Sequence, residues 1–293
     1  GKKIKLAKVD YLFTTASENI AWLLNIRGYD VDYSPLPNSH AFISKNKEVF
    51  LFCNLKKISK SLRSKLNKKI KILDFEQLPR FISNLLNKKI LIDILTCSLF
   101  FKTLIEKDNL VTEKPDPIYF LKSLKNKTEI KNSIKSHIYD GAALTKFIFW
   151  VKDGFKKKKI TEISAQEKLL KFRKKNKSFY SLSFPTISGT GPNGAIIHYK
   201  ADKKSNRLLK KGDIYLVDSG AQYLYGTTDV TRTLSLDVNS HKIKEIFTRV
   251  LKGHIAVASY KLNQKSNGDK VDLVARKPLR DINLDYPHGT GHG

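Results

Sequence analysis

Along the first 113 residues the apolar positions switch repeatedly between a strand-like and a helix-like spacing. Residues 9–15 form a β-rich run, and Ser17 then opens an apolar helix over 18–25. Residues 41–44 and 48–54 are β-rich and separated by Lys-Asn-Lys, a hairpin signal. Residues 56–66 and 75–86 follow a helical spacing, and 90–94 reads as a buried strand. The alternation predicts an α/β domain with a largely covered sheet. Glu113-Lys-Pro-Asp-Pro117 interrupts it. Prolines on both sides of Asp116 favour an extended connection, which places the domain boundary between residues 115 and 116.

A long helix is predicted over 128–152. Its apolar positions are Ile130, Ile134, Ile138 and Ala142, then Leu144, Phe147, Ile148 and Val151. Ser164-Ala-Gln-Glu167 has the spacing of a capping box and opens a helix reaching about residue 175. The texture then turns to β over 184–188, 195–199, 214–218 and 228–236, with Gly- and Asn-rich turns between. Helices over 240–262 and 269–277 follow. The second domain, 116–293, is therefore expected to be α+β, with helices on a mostly antiparallel sheet.

Composition narrows the function classes. With 293 residues and 41% hydrophobic content, the chain can form about two packed domains and is not a disordered polymer. Its longest apolar stretch, 90–101, is broken by Asp93 and is shorter than the ~20 residues of a spanning helix, so no membrane partner is expected. Cys53 and Cys97 lie far apart without a CxxC spacing, which predicts two reduced, buried thiols rather than a disulfide framework or zinc site. The 55 Lys+Arg against 27 Asp+Glu give a net charge of +28. The lysines are spread along the whole chain and no nucleic-acid-binding motif accompanies them. Solvated lysine faces are expected, with no specific nucleic-acid partner; a polyanion-binding surface would instead show steeply salt-dependent binding. Met is absent, even at position 1, and the chain stops at Gly293 inside a glycine–histidine stretch, which suggests a fragment at both ends.

The richest segment for chemistry runs from Ile214 to Arg232. An apolar strand ends at Asp218, the chain turns near 222–226 and returns through Asp229. With the turn centred on Tyr223–Leu224, Asp218 and Asp229 would oppose one another, with Cβ atoms roughly 4.5–5.5 Å apart. Two carboxylates so placed share a proton or hold a cation; alternatively both face solvent in the turn. Near the other end, Tyr286-Pro-His-Gly-Thr-Gly-His-Gly293 sets His288 and His292 in a loop whose glycines let backbone approach closely. Imidazole and carboxylate together suit a transition metal. A third histidine, His198, follows Ile196 and Ile197 and reads as projecting from a strand.

Five segments together resemble the aminopeptidase P (Xaa-Pro aminopeptidase) family of pita-bread metallopeptidases. They are Phe184-Pro-Thr-Ile-Ser-Gly-Thr-Gly191, Asn193-Gly-Ala-Ile-Ile-His-Tyr199, Val217-Asp-Ser-Gly-Ala-Gln-Tyr223, Gly226-Thr-Thr-Asp-Val-Thr-Arg-Thr233 and Asp285-Tyr-Pro-His-Gly-Thr-Gly-His-Gly293. Glu18-Asn-Ile-Ala-Trp-Leu-Leu-Asn-Ile-Arg-Gly28 is similar to the opening of the second of three domains in the long, eukaryotic-type members. The resemblance implies an α/β, creatinase N-terminal-like domain followed by a truncated α+β pita-bread catalytic domain. It also implies a cytoplasmic exopeptidase, a homodimer at full length, acting on peptides with penultimate proline. Its cofactor would be two Mn²⁺ ions, with Zn²⁺ or Co²⁺ able to use the same donors. In that register Asp218 chelates one metal, Asp229 bridges both and His292 ligates the other, while His198 and His288 contact substrate. The family's remaining ligands, two glutamates and another histidine, would follow Gly293. The 293 residues alone are therefore expected to bind metal weakly and to be inactive. The alternative is a non-catalytic pita-bread module that binds peptides.

Overall fold

The computed structural model describes every residue except Asn67, Asn239 and Gly293. The elements run α1 (Lys2–Leu6), β1 (Tyr11–Thr14), α2 (Ser17–Leu24), β2 (His40–Ser44), β3 (Val49–Phe52), α3 (Lys60–Lys65), β4 (Ile70–Leu73), α4 (Leu78–Ser83), β5 (Lys89–Ile92), α5 (Leu99–Glu106), β6 (Leu110–Glu113), α6 (Pro117–Ser123) and α7 (Lys127–Gly154). They continue as α8 (Glu162–Arg173), β7 (Phe179–Leu182), β8 (Ile187–Thr190), β9 (Ile214–Ser219), β10 (Ala221–Tyr223), β11 (Gly226–Thr227), β12 (Val230–Ser235), α9 (His241–Ala258) and α10 (Gly268–Arg280). Two compact bodies emerge. The first holds Gly1–Ala142, Arg173–Pro185 and Gly220–Asp229; the second holds Ala143–Phe172, Thr186–Ser219 and the chain from Val230 onward.

In the first body a six-stranded mixed sheet has the order β4-β3-β2-β1-β5-β6. The Lys-Asn-Lys segment does join an antiparallel pair, with Phe42 opposite Phe50. β5 lies parallel to both β1 and β6, so Ile90, Leu91 and Ile92 are buried as a continuous apolar run. One face packs Leu12, Ile20, Ile43 and Leu51; the other packs Phe13, Phe42, Phe52 and Ile82. A small sheet, β11-β10-β7, completes this body.

The second body is built on the antiparallel sheet β12-β9-β8. Tyr215 and Val217 of β9 pack with Leu144, Phe147 and Val151 of α7 and Leu169 of α8. Only the later apolar positions of α7 are used in this way. Ile130, Ile134 and Ile138 share a face, as their spacing requires, but that face is exposed.

Several local expectations are corrected. The helix expected over 56–66 is interrupted: the Asn54 side chain caps a single 3₁₀ turn, and Ser59 then caps α3 by accepting from Leu62 N. The capping box sits three residues earlier than read. Ser164 N donates to Thr161 Oγ1 at 3.2 Å, and Thr161 N donates to Ser164 Oγ at 2.8 Å. Cys53 is buried, whereas Cys97 is partly exposed. Residues 195–199 form no strand; a 3₁₀ turn over Gly191–Ala195 runs into a further turn. No helix among the described residues is long and apolar enough to cross a membrane.

Candidate metal centre

Asp218 lies in β9 with Ile187 beside it in β8 and Thr231 beside it in β12. Strand alternation turns Tyr215, Val217 and Ser219 into the core and leaves Leu216 and Asp218 on the half-covered face. Asp218 Oδ1 is shielded from solvent within that face. The cross-strand partner of Asp218 is thus Thr231, not Asp229. The expected register is offset because the turn is centred one position later, at Leu224–Tyr225, with Tyr223 paired to Gly226.

Asp229 immediately precedes β12 and is exposed. The backbone before it is held firmly in the first body. Thr228 N donates to Ala221 O at 2.9 Å, Ala221 N donates to Thr228 Oγ1 at 3.0 Å, and Ser183 Oγ donates to Thr228 O at 2.8 Å. Gly220 is required here because a Cβ at that position would run into Thr228 O and Ser183 Oγ.

Behind this hairpin is a buried ionic network that the sequence reading missed. Arg173, at the end of α8, donates through Nε and Nη2 to the two oxygens of Asp140 in α7, at 2.7 and 2.9 Å. The Tyr223 hydroxyl donates to Asp140 Oδ1 at 2.8 Å, and Arg173 Nη1 reaches Gly220 O at 3.4 Å. Burial, then the neighbouring Asp140 carboxylate, raises the Tyr223 hydroxyl well above the usual phenol range. With its partners 33 positions apart in sequence, the pair leaves no local spacing by which it could be read.

The histidines occupy two loops of the second body. His198 is exposed, in a turn, with φ of 54°, so it does not project from a strand. His288 is exposed as well. Its ring stacks on Tyr286 with centroids 4.7 Å apart, and its Nδ1 lies 2.8 Å from Gly289 O. Arg276 organises that loop: it donates to Asp272 and Asp285, to Tyr286 O at 2.7 Å and to His288 O at 2.7 Å. Arg280 chiefly, with Tyr286 N–H and Arg276, pulls the Asp285 carboxyl down to about 2. The Asp272/Arg276 spacing of four was the available signal for this clamp. His292 is exposed near the end of the same loop.

Carboxylate oxygens from Asp218 and Asp229 with an imidazole from His292 are the donor types a divalent metal prefers. Even so, among the described residues no three His, Cys, Asp or Glu side chains are gathered closely enough to hold an ion.

The sheet-and-helix second body with its Gly- and His-rich loop defines the class. Residues 132–293 match the metallopeptidase family M24, and residues 1–129 match the creatinase/prolidase N-terminal domain. The chain belongs to metallopeptidase family M24, with an α/β creatinase N-terminal domain followed by an α+β pita-bread domain. Among particular relatives, it is 40% identical to Xaa-Pro aminopeptidase 1 of Dictyostelium discoideum, over 100% of this chain and 47% of the relative. It is also 40% identical to Xaa-Pro aminopeptidase ApepP of Drosophila melanogaster, over 99% of this chain and 48% of the relative. The crystal structure of X-prolyl aminopeptidase from Caenorhabditis elegans, described as a cytosolic enzyme with a di-nuclear active site, superposes with a TM-score of 0.93 at 32% identity, covering 100% of this chain and 49% of that one. Prolidase from Pyrococcus furiosus, at 20% identity and a TM-score of 0.73, covers 96% of this chain and 78% of its own and shares the fold. The chain spans about half the length of the curated relatives it matches.

Proposed function

We propose that the protein carrying this chain is a metal-dependent aminopeptidase that removes the N-terminal residue from peptides with proline at the second position. The observation that carries this reading is the superposition of the whole chain on the C. elegans X-prolyl aminopeptidase with a TM-score of 0.93. Asp218 and Asp229 would hold the metal through their carboxylates and His292 through its imidazole. His198 and His288 stand beside the substrate, where an imidazole N–H can donate to the oxygen of the scissile carbonyl as charge develops on it. These donors would take a pair of Mn²⁺ ions, with Zn²⁺ or Co²⁺ compatible with the same set. Bound there, such ions supply Lewis acidity and water activation at neutral pH.

Proline suits a dedicated site because the bond before it lacks an N–H, a group that peptide-binding sites otherwise grip. The proposed location is the cytoplasm, the proposed assembly a homodimer, and the proposed domain boundary the 115/116 position just before α6. The test is to incubate the intact protein with matched Xaa-Pro and Xaa-Ala peptides, with Mn²⁺ and with a chelator. Release of the first residue from the Xaa-Pro peptide alone, lost on chelation, supports the reading. Binding of either peptide with no release favours a non-catalytic module.

A further inference from the structure

Glu162, in the first turn of α8, is a fully buried carboxylate, and its oxygens meet donors from four separated residues. Oε1 accepts from Thr190 N at 2.7 Å, where β8 ends. Oε2 accepts from Arg207 N at 2.9 Å and from the Tyr199 hydroxyl at 2.8 Å. The Asn193 amide lies 3.1 Å from both oxygens. The Glu162 backbone is tied to the same neighbours: its N–H donates to Arg207 O at 3.0 Å, and its carbonyl accepts from Ser188 Oγ at 2.8 Å.

These contacts surround the turn that carries His198. The turn leaves β8 at Thr190, passes Asn193, and ends at Tyr199, each of which is bonded to the carboxylate. Gly189 permits the tight entry, since a Cβ there would lie 2.9 Å from the Asn193 carbonyl and from Gly194 N. His198 itself sits in the left-handed region at φ 54°, a conformation that persists only where the surroundings hold it. Its neighbour Tyr199 is buried, while Ile196, Ile197 and His198 face solvent. What holds the turn is therefore the polar anchor beneath it rather than apolar packing of its own side chains.

We infer that Glu162 is a positioning residue: its buried carboxylate anchors the 190–199 turn and thereby sets where the His198 imidazole is presented to substrate. The inference rests on the role proposed for His198 and adds what fixes that side chain. A carboxylate is required because the four partners are all donors, and an ionised carboxylate is acceptor-only with about four lone-pair sites. Glutamine would turn an NH₂ toward one of those donors, and aspartate falls a methylene short.

The test uses isotope-labelled protein and the variants Glu162→Gln and Tyr199→Phe, read by amide exchange and by the His198 Cε1–H resonance. In Glu162→Gln, amides within 190–199 and at Arg207 should exchange about tenfold faster or more, the effect of losing one charge-assisted hydrogen bond. The His198 resonance should move toward the position of an unstructured peptide, while His241, His254 and the amides of α9 and α10 keep their wild-type values. Tyr199→Phe, which removes one donor and keeps the carboxylate, should shift His198 in the same direction by less, and it decides the matter if Glu162→Gln does not fold. An unmoved His198 resonance overturns the inference, as does a uniform rise in exchange that includes α9 and α10. Neither readout needs peptidase activity, so failure of the aminopeptidase assignment leaves this result standing.

Discussion

Arg173 and Asp140 pair with side chains only 0% and 1% exposed, through Nε–Oδ1 and Nη2–Oδ2 hydrogen bonds of 2.7 and 2.9 Å. Each charge is costly to bury, and the opposite charge beside it offsets that cost. Asp140 also holds the Tyr223 hydroxyl and Arg173 reaches Gly220 O, so the pair braces the residues that lead from β9 into the hairpin before Asp229. Asp140→Ala removes the bidentate carboxylate from a buried guanidinium. It is expected to destabilise the protein by about 3–5 kcal/mol, whereas Asp140→Leu combined with Arg173→Met should recover much of that loss. Urea denaturation of the three proteins checks this; equal stability of Asp140→Ala and wild type would contradict the brace.

The second prediction concerns Gly220. A methyl group there collides with backbone at Thr228 and with Ser183 Oγ. Backbone cannot step aside as a side chain can, so Gly220→Ala should cost about 1–3 kcal/mol or more and raise amide exchange across β10 and β11. Gly268→Ala, where nothing stands within 4 Å, is the matched control and should be close to neutral. Denaturant midpoints of the two variants separate the cases.

The cysteines give a pH prediction. Burial raises both thiols, Cys53 to about 11 and Cys97 to about 11, from an ordinary 9.0. A thiol raised on folding holds its proton more tightly in the native state, so its contribution to stability is complete below about 9 and is lost as pH climbs toward 11. Both thiols should alkylate slowly at neutral pH, Cys53 the slower because it is buried. Thermal melts across pH 8–11 should fall, and less steeply for Cys53→Ala relative to its own value at pH 8. Rapid labelling of Cys53 at pH 7 in the folded protein would count against this.

Much of the first body was legible because its strands are continuous apolar runs. Ile90, Leu91 and Ile92 need no partner to declare a buried strand, and Lys-Asn-Lys marked the β2–β3 turn. The same rule failed at Ile196 and Ile197, which look like a strand yet are exposed in a turn. There the Thr190, Asn193 and Tyr199 contacts to Glu162 override local propensity. In the candidate site, Asp218 at the end of an apolar strand and the histidines among glycines were visible as residue types. Their geometry was not. Moving the turn by one residue brought Thr231 opposite Asp218, and the long-range partners Asp140–Arg173 and Glu162–Arg207 have no periodic signature.

An acid prediction follows from Asp285, whose carboxyl Arg280 above all holds down at about 2 against 3.8. A carboxyl depressed on folding adds stability that is present above about 4 and disappears as pH falls toward 2. The loop at 285–288 should therefore stay protected from exchange at pH 5 and lose protection near pH 2.5. Arg280→Gln should move that loss to higher pH; an unchanged profile would show that Arg280 does not hold the loop.

The claim that Asp218, Asp229 and His292 hold metal is tested most directly by counting ions. The intact protein is saturated with Mn²⁺, passed through a desalting column, and its bound metal per chain measured for wild type, Asp229→Asn and Thr231→Val. Wild type should retain Mn²⁺ and Asp229→Asn should lose it, while Thr231→Val, which alters only the cross-strand neighbour of Asp218, should retain it. Equal metal content in wild type and Asp229→Asn would contradict the account.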